Sequence, residues 1–539
     1  MFIKLFNIYF FILLITVQSP VYSKNSNKNR FYYKELSNYF SAQVSYVNQN
    51  KREALKFFRL SRSLINKHDP FLKRYVFSLI SEGKVKKAIN QLEVSSKKKK
   101  SNFFEAYMLL TIESLKKNDL KKADKYINSL SKFKKNGTLE LIIYETLRDY
   151  NFLFKNKKIY PEKSNFGNLS LINSAFQSCY LNHANTANYF TNLLNSNEID
   201  YSRYIFFYTA YLINKNQFFE AKEITDQIDI LNTNLLTAQT KKWIDKKDFT
   251  KFNDLFSCQK ETDILSEFLF LIANLYSSEN NYEESNFYLS ISNYLNPKFK
   301  FNHSLLVENF YKKKDYEKSK KVLNLFNEDD DVYYWYKIKK ITNITFEEVG
   351  KKQAIIYIDS NFKKIKNPSE KVLFDMANIS KSFEEYQLAI DYYNKVLSKI
   401  DISSNSYSEI LYRRGGSYER LEQYNKSDKD LLNSLKLNSD DAYVLNYLAY
   451  SWLERDHKID KAIEMLEKAY KQKKNDPFII DSVGWAYYLT GDFFKAEEFL
   501  KRAVKLMPDD PIVNDHYGDI LWKLGRKIQA RYYWNSVLN

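Results

Sequence analysis

The sequence predicts an all-α chain built as a stack of antiparallel helix pairs, and three observations carry that prediction. Glycine and proline are rare, 10 and 8 in 539 residues, which argues for long helical stretches over a β fold with many tight turns. Several of these rare residues gather near the C-terminus, where Gly484, Gly491, Pro508 and Pro511 fall within one short stretch. A pattern read from Pro477 then opens again at Pro511, 34 residues on, and a period of that length marks a repeat array. With 44% hydrophobic residues, including 44 Tyr and 40 Phe, the chain has ample material for a packed core.

Taken in order, the first element is not part of the stack. Lys4 precedes an apolar run from Leu5 to Val17, broken only by Asn7 and Thr16, and Val21-Tyr22-Ser23 places tolerated residues before Lys24. Residues 1–23 therefore read as a secretory signal peptide, and the run is short of the about 20 residues that span a bilayer. The expected location is exported and periplasmic; the alternative is an uncleaved segment that anchors the chain in the inner membrane. A short spacer, 24–34, follows. From 35 to 265 the period persists in degenerate form. Units opening at Glu35, Asp69 and Phe104 are anchored on Ala54, Ala88 and Ala123, and units near Asn168 and Ser202 on Ala187 and Ala221. The intervals 138–167, 236–265 and 334–369 are expected as helix pairs of their own.

A middle set, 266–407, is clearer. Ser266 opens Ile272-Ala273-x2-Tyr276, Lys300 opens a unit with Leu306 and Phe310, and Glu370 opens one with Met376-Ala377 and Ala389. The best-formed set is 408–539. Its units open at Ser408, with Arg414-Gly415-x2-Tyr418, and at Ala442, with Leu448-Ala449-x2-Trp452 and Ala462. Two more open at Pro477, with Val483-Gly484-x2-Tyr487 and Ala496-x3-Leu500, and at Pro511, with Tyr517-Gly518-x2-Leu521 and Ala530-x3-Trp534. Gly484 and Gly518 are expected where the two helices of a pair cross closely, because a larger side chain there would overpack the contact. Gly491 and Gly525 are expected to end the first helix in a left-handed conformation. Pro508 and Pro511 are expected to stop the second helix and start the next unit, where a missing N–H does no harm.

These residues resemble the tetratricopeptide repeat, whose W-x2-L-G-x2-Y…A-x3-F…P pattern also spans 34 residues. The resemblance is to the exported bacterial members of that family, and it implies a right-handed superhelical solenoid of about 12 to 15 helix pairs. It also implies that positions 2, 5, 9 and 12 of each unit face a groove lined by the first helices. On the C-terminal units those positions are Tyr443, Asn446, Tyr450 and Leu453, then Phe478, Asp481, Trp485 and Tyr488, then Ile512, Asp515, Asp519 and Trp522. The lining is aromatic and acidic, a chemistry that suits peptide or protein partners. The family's carboxylate clamp would need Lys at position 5, where Tyr412, Asn446, Asp481 and Asp515 stand, so that activity is not expected. The structural alternative is that Trp485 and Trp522 pack between units.

No catalytic site is expected. The five histidines, His68, His183, His303, His457 and His516, lie in no H-E-x-x-H or other metal-ligand spacing. Phosphate-cradling Gly-rich loops and a G-x-S-x-G elbow are absent from the sequence. Asp515, His516 and Asp519 share one helical face, and a polar groove face is the simpler reading of them than a metal site. Neither cofactor nor metal is expected. An enzyme hidden within 138–265 is the remaining catalytic alternative. Cys179 and Cys258 are too few for a disulfide framework; they can form one bridge, and two buried thiols are the expectation.

The net charge of +18 suggests a polyanion at first sight. The lysines are spread along the chain, however, and the short runs Lys97 to Lys100 and Lys312 to Lys314 fall where turns are expected. The expected function is thus a non-enzymatic exported scaffold that binds proteins or peptides in the cell envelope and assists assembly of an envelope complex, with no nucleic-acid partner. The alternative is a polyanion or membrane-surface binder that uses the Lys excess.

Overall fold

The structure, a computed structural model, describes residues 33–66, 69–97, 101–135, 137–161, 164–195, 202–328 and 330–538. The signal segment, most of the spacer, His68 and Lys98 to Lys100 lie outside the described residues. Among the described residues there is helix and no strand. The chain begins with α1 (Tyr33–Val47), α2 (Lys51–Leu60), α3 (Asp69–Ser81), α4 (Val85–Lys97), α5 (Phe104–Lys116), α6 (Leu120–Leu130) and the long α7 (Leu139–Asn156). Next come α8 (Asn168–Tyr180), α9 (Thr186–Leu194), α10 (Arg203–Asn214), α11 (Phe218–Asp226), α12 (Leu235–Asp245) and the short α13 (Thr250–Leu255). The middle holds α14 (Glu261–Ser278), α15 (Tyr282–Leu295), α16 (Phe301–Lys312), α17 (Tyr316–Leu323), α18 (Asp331–Val349), α19 (Lys351–Phe362), α20 (Glu370–Ser382) and α21 (Tyr386–Leu397). The last eight are α22 (Asn405–Arg420), α23 (Tyr424–Leu437), α24 (Ala442–Glu454), α25 (Ile459–Gln472), α26 (Pro477–Leu489), α27 (Phe493–Leu506), α28 (Pro511–Lys523) and α29 (Lys527–Leu538).

In the last three pairs the helix starts follow directly from the side chains. Asp441, Asp476 and Asp510 each accept two backbone N–H bonds at the head of α24, α26 and α28, satisfying donors that the helix cannot pair itself. Pro511 opens α28 and Pro508 follows the end of α27, as expected, and Pro477 takes the corresponding first turn of α26. Gly491 and Gly525 turn the chain between paired helices at φ of 84° and 81°. Gly484 lies against α27, and a Cβ built there would stand 2.7 Å from Leu500 Cγ and 3.1 Å from the Leu500 backbone nitrogen. Gly484→Ala is therefore expected to cost about 1–3 kcal/mol, because Leu500 is fixed in the core and its backbone has to give way. A urea titration of the full chain checks this: a midpoint equal to wild type would show that α26 and α27 do not need the close crossing.

The described residues fall into two compact units. The first comprises those up to Asn195 together with Thr250–Val322. Here the later helices fold back onto the earlier ones: α15 packs on α3 and α4, and α14 on α5. Phe77 and Phe287 stack at 4.4 Å between α3 and α15. Beside them the Glu113 carboxylate, almost fully buried, accepts from Lys86 at 2.7 Å, Lys117 at 2.9 Å and the Tyr294 hydroxyl at 2.9 Å. Faces of α3 and α5 that a simple open stack would expose are covered by the chain itself.

The second unit comprises residues 202 to Phe249 and those from Leu323 onward. The loop after α11 is embedded in it. Leu231 is buried with Trp335, Phe374 and Tyr393, Ser406 donates to Asp229 at 2.7 Å, and Asn232 donates to Glu409 at 2.7 Å. From α22 to α29 the helix pairs succeed one another regularly.

Three expectations are corrected. Cys179 and Cys258 are not free thiols; they form a disulfide across a sequence separation of 79, both buried beside Phe176 and Phe256. The interval 138–167 holds one helix, α7, rather than a pair. The anchor of α9 is Thr186, fully buried, and not its neighbour Ala187, which is only half-buried. Thr186 is placed there by a hydroxyl that donates to the His183 carbonyl at 2.7 Å and pairs with Ser178 at 3.1 Å. Ala54, Ala88, Ala123 and Ala221 are fully buried, as are Ala462, Ala496 and Ala530.

Candidate functional site: the row of first helices in the second unit

Side chains link α20, α22, α24, α26 and α28, the first helices of successive pairs, into one row. The Tyr447 hydroxyl on α24 donates to Glu419 on α22 at 3.0 Å, and the Tyr412 and Tyr447 rings meet edge to face at 5.7 Å. Trp485 Nε1 on α26 donates to Glu454 on α24 at 2.7 Å. His516 Nδ1 on α28 pairs with Asp481 Oδ2 on α26 at 2.8 Å. Trp485 stacks on His516 at 4.0 Å and on Tyr488 at 4.7 Å, with both ring pairs near parallel.

The electrostatics of this cluster are strongly negative. Burial pushes the Tyr450 phenol up, and the Glu454 and Asp481 charges and a hydrogen bond to Glu454 push it further. Burial, then the like charge of Asp515, raises the Asp519 carboxyl above its ordinary value. Burial opposes protonation of His516, yet the hydrogen bond and charge of Asp481, with Glu454 and Asp515, win and raise its pKa. Two acceptors, Asp481 Oδ1 and Asn446 Oδ1, are buried without a hydrogen-bond donor, an uncommon condition for interior oxygens.

The structure brings Tyr450, Asp481, Trp485 and Tyr488 into this cluster and places Asp519 close to it. Asn446 is half-buried on α24, and Asp515 is exposed on α28. Tyr443, Phe478 and Ile512 occupy the same place in three successive pairs, and all three are exposed, at 49%, 54% and 58%. Trp522 leans instead on its own pair, 5.4 Å from Trp534, with Lys527 5.0 Å over its ring. Leu453 is buried in the core of the α24–α25 pair. Trp485 joins α24, α26 and α28 through its hydrogen bond to Glu454 and its stack on His516.

Sequence reasoning did not single out Glu454, Glu419 or Tyr447, nor Lys381, Arg413 and Arg420 at the α20–α22 end of the row. Glu454, Tyr447, Arg413 and Arg420 fall off the repeat positions that the family pattern marks, whereas Glu419 and Lys381 stand at position 12 of the units opening at Ser408 and Glu370, whose positions were not read out. Among the described residues no group of three or more His, Cys, Asp or Glu could hold a metal ion.

No family model matches the chain. Over 88 residues it is 34% identical to a TPR repeat-containing protein of Pseudomonas aeruginosa, a match that covers 16% of this chain and 15% of that protein. The chain thus spans under a sixth of the length of this curated relative. Among solved structures, MamA from Desulfovibrio magneticus aligns with 32% of this chain and 96% of its own, at 17% identity and a TM-score of 0.28. The PilF structure from Pseudomonas aeruginosa aligns with 31% of this chain and 75% of its own, at 18% identity and a TM-score of 0.28. The tetratricopeptide resemblance read from the sequence has its counterpart in a relative of that name.

Proposed function

We propose that this chain is an exported, non-enzymatic tetratricopeptide-repeat scaffold that holds an extended segment of a protein partner along the first helices α22, α24, α26 and α28, in the assembly of a complex of the bacterial cell envelope. On this reading the C-terminal pairs form a right-handed solenoid, and Tyr443, Asn446, Tyr450, Asp481, Trp485, Tyr488, Asp515, Asp519 and Trp522 contribute to its binding face. One observation carries the proposal: three successive pairs expose an apolar side chain at the same place, Tyr443, Phe478 and Ile512, beside a row of polar groups with unmet acceptors. Apolar anchors at a fixed interval with oriented polar groups between them suit an extended peptide.

Export is supported by the Cys179–Cys258 disulfide, because such bonds persist in oxidising compartments and are rare in a reducing cytosol. No helix among the described residues is long and apolar enough to cross a membrane. The polyanion alternative loses support from the many lysines engaged locally, such as Lys86, Lys117, Lys241 and Lys339 in ion pairs with Asp or Glu.

The test is a cross-linked pull-down from the native envelope with the full chain and with a Phe478→Ser/Ile512→Ser variant. Both residues are exposed, so the variant keeps its fold, which circular dichroism verifies. The expected result is one identified protein partner held by wild type and depleted about tenfold or more with the variant, the size of a single hot-spot loss. Equal capture by both forms sinks the proposal. Recovery of lipid or polysaccharide alone, released by salt, replaces it with the Lys-surface reading.

A further inference from the structure

In the first unit, where α15 comes back against α3 beside the turn from α1 to α2, one cavity holds two opposite charges that do not meet. Its volume is about 310 Å³, within the range of small-molecule sites. Arg74 on α3 and Glu284 in the first turn of α15 both line it, and neither makes a hydrogen bond or an ion pair with any described residue. The Arg74 guanidinium stands 5.7 Å from the centroid of the Tyr46 ring. The Tyr46 hydroxyl, the Ser81 hydroxyl and the Asn281 amide also line the cavity, and they too have no hydrogen-bond partner among the described residues.

The remaining polar groups of the lining are engaged with one another. Lys51 donates to the Tyr46 carbonyl at 3.1 Å, lies 3.6 Å over the Tyr46 ring and stands 3.5 Å from Glu283. Glu283 also accepts from Lys313, which donates to Gln49 at 2.8 Å. Glu283 is thus shared by two ammonium groups and is not left for Arg74. What stays free is one cation, one anion and three neutral hydrogen-bonding groups. Arg74 and Glu284 attract each other, yet α3 and α15 hold them beyond ion-pair distance, with the cavity between their helices. Both are half-buried, where a charge without a partner costs more than it does in water. Val47 and Phe77, the latter stacked on Phe287, add an apolar surface to the same walls.

We propose that this cavity binds a small zwitterion, a free amino acid or a dipeptide with an apolar side chain, whose carboxylate meets Arg74 and whose ammonium meets Glu284. A guanidinium grips a carboxylate through two parallel hydrogen bonds, which fixes that end of the ligand. The single acid then fixes the other end, so the ligand has one orientation. Tyr46, Ser81 and Asn281 supply further hydrogen bonds, and Val47 and Phe77 face the apolar side chain. Nothing in this site draws on the partner proposed for the second unit. Because a ligand there joins α3 to α15, it stabilises the first unit when it binds.

The test is isothermal titration calorimetry of the full chain at neutral pH with L-phenylalanine, L-leucine and Leu-Phe. Each is offered beside its N-acetyl form, which lacks the ammonium, and its amide, which lacks the carboxylate. At least one zwitterion is expected to bind, with its N-acetyl form and its amide each about tenfold weaker, the size of one lost charged hydrogen bond. In Glu284→Gln the penalty for N-acetylation is expected to vanish while the penalty for the amide stays, and Arg74→Gln is expected to show the reverse. Neither side chain has a bond to lose, so both variants keep the helical circular dichroism of wild type.

Binding of Leu-Phe alone assigns the dipeptide, and binding of the single residues alone assigns the free amino acid. No heat from any of the three zwitterions at millimolar concentration, or equal binding of a zwitterion, its N-acetyl form and its amide, overturns the site. Variants that weaken all three forms alike overturn the roles given to Arg74 and Glu284.

Discussion

Replacing Cys179 and Cys258 with serine is expected to lower the stability of the first unit by about 2–5 kcal/mol, the largest single effect in this chain. The bond closes a separation of 79 residues, and a cross-link over so long a loop removes much conformational freedom from the unfolded chain. It also fixes the end of α8 against the loop after α13, where the Gln259 side chain donates to the Cys179 carbonyl at 3.0 Å. The same elements also meet through the Tyr180 hydroxyl, which donates to Glu261 at 2.7 Å, and the Phe176 and Phe256 rings. Hydrogen exchange of the full chain checks the expectation. Protection should fall in α8, α9 and α14 of the serine variant, and in wild type treated with reductant, while α22 to α29 keep theirs. Unchanged protection in α8 and α14 would show that the aromatic packing of Phe176 and Phe256 holds them without the bond.

The second large effect is expected at Glu113. Glu113→Gln should destabilise the first unit by about 2–3 kcal/mol at neutral pH, because Lys86, Lys117 and Tyr294 lose a shared charged acceptor; the half-exposure of both lysines keeps the loss below that of a fully buried pair. The pH dependence separates this from a packing defect. Burial raises the Glu113 carboxyl, but the bonds from Lys86, Lys117 and Tyr294 outweigh it and hold the pKa below its ordinary value near 4.5. The stabilisation is therefore fully present above that unfolded value and is lost as pH falls through the lower, folded one. Urea midpoints of wild type and variant should converge on acidification below about pH 4. A gap that stays constant down to acid pH would assign the loss to shape rather than charge.

The legibility of the fold followed the chemistry of the turns. Within the hairpins the turn requires a left-handed residue, and in the last two pairs it is glycine, Gly491 and Gly525, which a sequence pattern can find. Gly83 does the same between α3 and α4, and elsewhere the conformation is taken by Gln49, Asn118, Asn182, Asn216, Lys247, Asn280, Lys314, Glu384, Glu422 and Asp456. Asparagine tolerates it, and lysine or glutamate accepts a cost of roughly 1 kcal/mol that the packed helices cover. The geometry of the repeat thus survives where its letters do not. Helix starts were easier: those at Glu370, Ala442, Pro477 and Pro511 fall where the period placed them. The interval 138–167 misled because α7, at 18 residues, uses the length of a helix and its return in a single rod.

The candidate site was less legible than the fold. Repeat positions indicated Asp481, but its partner on α28 is His516, one place past the marked Asp515. They could not indicate Glu454, which meets Trp485 across 31 residues from one place past the marked positions. The disulfide was hidden because two cysteines far apart in sequence carry no spacing signal, and only the return of the chain after α13 makes them neighbours.

The interleaving of the two units, each assembled from separate stretches of sequence, bears on how the protein is made and how it can change. A ribosome delivers α1 to α9 first, then α10 to α12, whose packing partner α18 has not yet emerged, and then α13 to α17, which complete what α1 to α9 began. Neither unit can close before a stretch belonging to the other has been synthesised. Loss or duplication of a helix pair between residue 202 and Val322 would change a stretch of one unit and the connection within the other at once. From α22 onward the pairs are contiguous, each leaning mainly on the one before, so that is the segment free to lengthen, shorten or acquire a new binding surface over evolutionary time.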